Sequence, residues 1–243
     1  MCIVTGMRFT SENGKTGEGD DAKWDRMAQV YILPADMPSH EAYWLQSSDI
    51  AHARAFRAVC GDCEIGKAKA CYVRKEQSVL STWSSWRAGN KVRATKQVWD
   101  WLASGAIAVR IGADGDPAAV PAYVWERICR PGARWTGYCH QWRDARFQVL
   151  SQWLMASTSD PDSASLAMSM GWRAFHVVSG DESPEAYAGT VLCPSDTVVC
   201  ARCGLCDGQN TQAKSVRIVA HGAHASKLIT ASRLSRGKDI ANA

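Results

Sequence analysis

Ala106-Ile107-Ala108-Val109-Arg110-Ile111-Gly112 is a nearly unbroken apolar run of strand length, and together with the segments on its C-terminal side it decides the fold. Pro117 to Arg130 reads as a helix, with proline at its first position, where a missing N–H costs nothing, and Pro131-Gly132 beyond its end. Arg134 to Cys139 is again a strand. Strand, helix and strand at this spacing predict two parallel strands joined by a crossover helix.

The alternation continues outward. Gln152 to Ser157 reads as a strand, Asp160 to Met170 as a helix closed by Gly171, and Trp172 to Val178 as a strand. Thr190 to Cys193 and Ser215 to Ala220 complete the series. Upstream, Gln29 to Leu33 is a short strand ended by Pro34, residues 38–58 are helical, Cys60 to Cys71 is a loop, and 75–104 form one or two helices. The expected fold is α/β, with a largely parallel sheet, open or curled into a partial β/α barrel, and a C-terminal cysteine-rich metal loop. Residues 1–27 are expected as an irregular arm, 28–231 as a single domain, and 232–243 as a polar tail. Gly14-Lys15-Thr16 ends like a phosphate-binding loop, but Phe9 stands where that motif needs its first glycine.

Composition narrows the function classes. With 46% hydrophobic and 21% charged residues over 243 positions, the chain has the make-up of a globular protein. No run reaches the roughly 18 apolar residues of a membrane span, and Met1-Cys2-Ile3-Val4 does not begin a signal peptide. The expected location is the cytoplasm. Ten cysteines in a reducing compartment serve as metal ligands more often than as disulfides. The net charge of +4 permits a nucleic-acid partner without requiring one. Eleven tryptophans, several beside arginine, suit either core packing or stacking on bases.

Cys200-x2-Cys203-x2-Cys206 places three thiols on one tight loop, a spacing that wraps a tetrahedral ion or the corner of a cluster. Cys193 and His221 are the candidate fourth ligands. Cys3His suits zinc; four cysteines suit zinc or a [4Fe–4S] cluster. Cys60-x2-Cys63 with Cys71, among lysines and arginines, is a second candidate ligand group or a set of free thiols.

Active residues of parallel α/β folds gather at the carboxyl ends of strands. Asp114 and Asp116 come after the 106–112 strand, and His140 after 134–139. Either carboxylate can serve as nucleophile or general base, with His140 moving protons; Asp116 before Pro117 is equally a helix N-cap, and His140 equally structural. Gly112 and Gly115 free the backbone for a close ligand, and Arg110, Tyr138 and Trp142 are candidates to bind a phosphate or a base.

Cys60-Gly-Asp-Cys63, Lys69-Ala-Cys71-Tyr72-Val73, Arg110-Ile-Gly112 with Gly115-Asp116-Pro117, Trp135-Thr-Gly137-Tyr138 with His140-Gln-Trp142, and Cys200-x2-Cys203-x2-Cys206 with Ala220-His221-Gly222 together resemble a family of cysteine-rich proteins encoded by bacteriophages and plasmids. That resemblance spans about residues 28 to 228 and implies a setting, a mobile-element protein in a bacterial cytoplasm, without an activity. The chain is also similar in outline to tRNA-guanine transglycosylases and their phage DNA-modifying relatives, which pair a β/α barrel with a C-terminal Cys3His zinc site. The resemblance implies that Cys200, Cys203, Cys206 and His221 take that part, although that family spaces its first two cysteines as C-x-C and is longer. Radical S-adenosylmethionine enzymes share the partial barrel, but their C-x3-C-x2-C is absent. The leading expectation is a zinc or iron–sulfur enzyme that modifies nucleic acid or a nucleobase by base exchange. A zinc-stabilised nucleic-acid- or protein-binding module and an iron–sulfur redox or radical enzyme are the alternatives.

Overall fold

A computed structural model of the chain describes residues 2–11, 26–91, 93–179, 188–209, 213–221 and 225–230. Eight strands form one sheet: β1 (Cys2–Ser11), β2 (Arg26–Pro34), β3 (Ala108–Asp114), β4 (Arg134–Cys139), β5 (Met155–Thr158), β6 (Ala174–Val178), β7 (Thr190–Leu192) and β8 (Ser215–Val219). Their order is β1-β2-β3-β4-β5-β6-β8-β7. Among the described residues only the β1–β2 pair is antiparallel; β2 through β8 are parallel. The helices are α1 (Ser39–Trp44), α2 (Ile50–Cys60), α3 (Glu64–Lys67), α4 (Leu80–Arg87), α5 (Lys96–Ala103), α6 (Ala122–Ile128), α7 (Pro161–Ser169) and α8 (Cys200–Cys203). The expected α/β class with a largely parallel sheet is what the chain adopts.

From β2 to β6 every crossover advances to the next strand in the same direction. A doubly wound sheet reverses this order partway; a β/α barrel does not. The two faces of the sheet are accordingly unlike. One packs against α2, α5, α6 and α7 through Val59, Leu102, Trp125, Ile128 and Ala167, which meet Val109, Ile111, Trp135, Cys139 and Ala156 from the strands. The other is covered near β2 by Val73, Val79 and Trp83, which pack on Tyr31 and Leu33. Farther along, it meets the cysteine-rich segment: Ala201 packs on Met27 and Ala108, and Cys206 on Met155 and Val216.

Several boundaries differ from expectation, each for a local reason. The helical stretch 38–58 divides because the Asp49 carboxylate accepts N–H groups from Ala51 and His52 and starts α2 afresh. The stretch 75–104 divides into a π-helical turn over Lys75–Val79, α4 and α5. Residues Ala145–Gln152, which end at the first position expected in the next strand, form a 3-10 turn begun by Asp144, whose carboxylate accepts from Arg146 N. Part of the expected arm, Cys2–Ser11, pairs with β2 as an edge strand; main-chain pairing at an edge needs no apolar signature. Gly14-Lys15-Thr16 and the 232–243 tail lie outside the described residues. No helix among the described residues is long and apolar enough to cross a membrane.

Candidate functional site

After β7 the chain leaves the sheet at Cys193, passes over the face opposite the helix layer, and makes the short turn α8, which Gly204 ends in the left-handed conformation (φ 67°). The segment is fastened to the strands at several points. Arg134 Nη1 donates to the Ala201 carbonyl at 3.2 Å, and the Gly137 amide donates to the Cys206 carbonyl at 3.3 Å. Arg173, 4% exposed, donates to the carbonyls of Leu205 (2.7 Å) and Lys214 (2.9 Å) and pairs with Asp207 at 3.2 Å. The buried guanidinium acts as a bolt: Asp207 balances its charge, and the two carbonyls satisfy Nη2. Gly208 completes the fastening: a Cβ there would lie 2.4 Å from the Leu154 nitrogen.

Between this segment and the sheet lies a cavity of about 370 Å3, large enough for a small ligand. Cys193, Cys200, Cys203, Cys206 and His221 all line it, so the ligand group expected from spacing converges on one space. Arg74, Arg110, Tyr72, Tyr138 and Phe175 line it as well, and no carboxylate does among the described residues. The Tyr138 and Phe175 rings lie against each other with centroids 4.2 Å apart.

Two strand residues act on the thiols. Arg110 lies near Cys200 and Tyr138 near Cys206, and each favours the thiolate. Burial works the other way and dominates, raising the Cys200 and Cys193 thiols and pushing Cys206 up to about 11. The four thiols lie within electrostatic reach of one another, and His221 Nδ1 donates to the Val219 carbonyl at 2.9 Å, which leaves the lone pair of a neutral ring on Nε2. As they stand, no three His, Cys, Asp or Glu side chains among the described residues are close enough together to hold a metal ion.

The residues expected to be catalytic lie elsewhere. Asp116, 2% exposed, caps the turn at Pro117–Ala119: one oxygen accepts from Ala118 N (2.8 Å), the other from His140 N (2.6 Å), and its own amide donates to the Val59 carbonyl (2.6 Å). His140 sits beside it with Nδ1 at 3.4 Å from the carboxylate. Asp114 is buried in an ion pair with Lys75. Gly112 and Gly115 serve the turn itself: at φ 81° a Cβ on Gly115 would lie 2.5 Å from the Ile32 carbonyl oxygen, so backbone fills the approach expected for a ligand. Trp142 is buried in the helix-side core, with Nε1 donating to the Ser157 carbonyl at 3.0 Å. Of the expected substrate-binding residues, Arg110 and Tyr138 reach the cavity. Tyr72, Arg74 and Phe175 reach it too; Tyr72 belongs to the Lys69-to-Val73 motif, and alternation along 71–75 and along β6 is the signal that places Arg74 and Phe175.

Comparison of the chain with protein-family models, with curated proteins and with solved structures gives no match.

Proposed function

We propose that the chain is a metal-containing enzyme whose centre is the thiol-lined cavity, acting on a planar, anionic substrate of the nucleobase or nucleotide class. Cys200, Cys203 and Cys206, with Cys193 or His221 as the fourth donor, would hold zinc or a [4Fe–4S] cluster. The observation that carries the reading is the convergence of Cys193, Cys200, Cys203, Cys206 and His221 on one cavity, with Arg110 and Tyr138 from the strands beside them. Donor groups placed by strands beside sulfur are what thiolate ligands require. Closing the donor set on an ion requires the 193–206 segment to draw its thiols inward and release their protons.

A bound ion would supply Lewis acidity there, and a bound cluster an electron. The chain's own residues supply recognition. Tyr138 and Phe175 offer an aromatic surface for a base, and Arg74 with Arg110 a positive field for phosphate, unopposed by any carboxylate among the described lining residues. Base exchange through Asp114 or Asp116 as nucleophile is set aside, since both are committed outside the cavity.

The test is metal content and absorption of anaerobically purified protein, wild type against Cys200→Ser/Cys206→Ser, together with titration by nucleoside monophosphates. The double variant should lose one equivalent of zinc, or the iron and its colour, and Arg74→Ala should weaken nucleotide binding at least tenfold. Equal metal content in wild type and variant contradicts the metal centre; nucleotide affinity indifferent to Arg74 contradicts the substrate class.

A further inference from the structure

Cys60, Cys63 and Cys71 do not line the cavity, and as they stand they are no closer to holding an ion than the thiols that do. The cavity itself carries a second feature: its floor is divided. Arg110 on β3 stands opposite Thr136 on β4, whereas Phe175 and Val177 on β6 stand opposite Val216 and Ile218 on β8. Between these groups the rings of Tyr138 and Phe175 meet over β5 and form an aromatic ridge. Both arginines of the lining lie on the β3 side of that ridge. Arg110 is a β3 residue, and Arg74 immediately precedes Lys75, whose ammonium pairs with Asp114 at the end of β3.

On the far side of the ridge the wall is hydrocarbon. Val177, Val216 and Ile218 come from the strands, and Leu205 and Pro194 from the segment that passes over them. Leu205 packs with Val216, which places it on this side. Of the described lining residues here, only thiols and His221 can ionise. Val177 and Ile218 are partly buried, so their methyl groups face the open space of the cavity. An apolar group that displaces water from such a wall gains free energy in proportion to the area covered. A space with cations at one end, an aromatic ridge in the middle and hydrocarbon at the other orients a ligand built in the same order.

We infer that the ligand of this cavity is a nucleotide whose base carries a short, branched apolar substituent, seated against Val177, Val216 and Ile218. The inference rests on the nucleotide reading of the same site. With the phosphate held by Arg74 and Arg110 and a purine lying on Tyr138 and Phe175, the edge of the base remote from its sugar points past the ridge toward β6 and β8. The exocyclic amine of adenine is on that edge, and a substituent there enters the apolar compartment. An unmodified base leaves the hydrocarbon wall in contact with water and gains nothing from it. The compartment therefore selects: it adds affinity for an alkylated base and none for a plain one.

The test titrates the full chain with adenosine monophosphate and with its derivative dimethylallylated on the exocyclic amine. At roughly fourfold per buried methylene, the derivative should bind at least about thirtyfold tighter. Val177→Phe, which fills the compartment, should bring the ratio of the two affinities close to one. Ile218→Ser, which makes the wall polar, should lower the same ratio and serves if the larger side chain prevents folding. Arg74→Ala should weaken both nucleotides alike. Equal or weaker binding of the derivative, with both nucleotides dependent on Arg74, overturns the apolar compartment and leaves the nucleotide reading standing. A tighter derivative whose advantage survives both wall variants also overturns it, because the alkyl group is then held elsewhere. Binding of neither nucleotide overturns both.

Discussion

The two faces of the sheet receive alternate residues of the same strands and put them to different uses. On the helix side Val109, Ile111, Trp135 and Cys139 disappear into a continuous apolar core. On the other side Arg110, Thr136 and Tyr138 meet a clamped cysteine segment across an open space. One step along β3 or β4 thus separates a residue packed in hydrocarbon from one whose neighbours are thiols and arginines. Polarity within an apolar strand, more than polarity just after it, therefore marks the face that lines the cavity. The polar residues after the strands, Asp116 and His140 above all, are engaged in tying loops to the sheet.

Measurement can separate the two faces. The largest effect on stability belongs to the packed one: Trp125, 0% exposed with Nε1 bonded to the Pro117 carbonyl, should cost roughly 3–5 kcal/mol as Trp125→Ala in urea unfolding. Asp116→Ala comes next, at roughly 2–3 kcal/mol, because it removes a cap and strands the His140 amide. Its metal content should match wild type; loss of metal would return Asp116 to the site.

The cavity side is read by a pH effect on binding rather than on stability. Cys193, Cys200 and Cys206 have thiol pKa values raised by burial, so the protein holds these protons at neutral pH and, on the proposed reading, would give them up to a metal. Acidification therefore weakens binding, by about 1.4 kcal/mol per pH unit for each thiol that must lose a proton. Chelator competition across roughly pH 6 to 8, below the raised thiol values, measures the slope. A flat profile would mean that these thiols are not ligands. The smallest effect is Val177→Ala on the cavity wall, expected at about 1 kcal/mol, since that side chain is only partly buried. A loss equal to that of Trp125→Ala would erase the distinction between the faces.

Much of the fold was legible because strands buried on both sides are written as short apolar runs, and because Pro117, Gly171 and the Asp160-Pro161 pair punctuate the helices between them. Segment β1 was not, since an edge strand is held by main-chain pairing. The cavity thiols were legible from spacing alone, as one loop carries three of them. The carboxylates are ambiguous for a chemical reason: an aspartate before a proline at a strand end has the same signature whether it caps a turn or faces a substrate. Arg173 left no signal at all, because its acceptors are carbonyls more than thirty positions away in sequence.

The most direct test of the metal centre is anomalous scattering from crystals of anaerobically purified protein, recorded at the zinc and iron edges. An anomalous peak is expected within the cavity, bounded by Cys200, Cys203 and Cys206 with Cys193 or His221 as the fourth neighbour. A cavity without a peak at either edge, in crystals of protein whose solution carries metal, would contradict it.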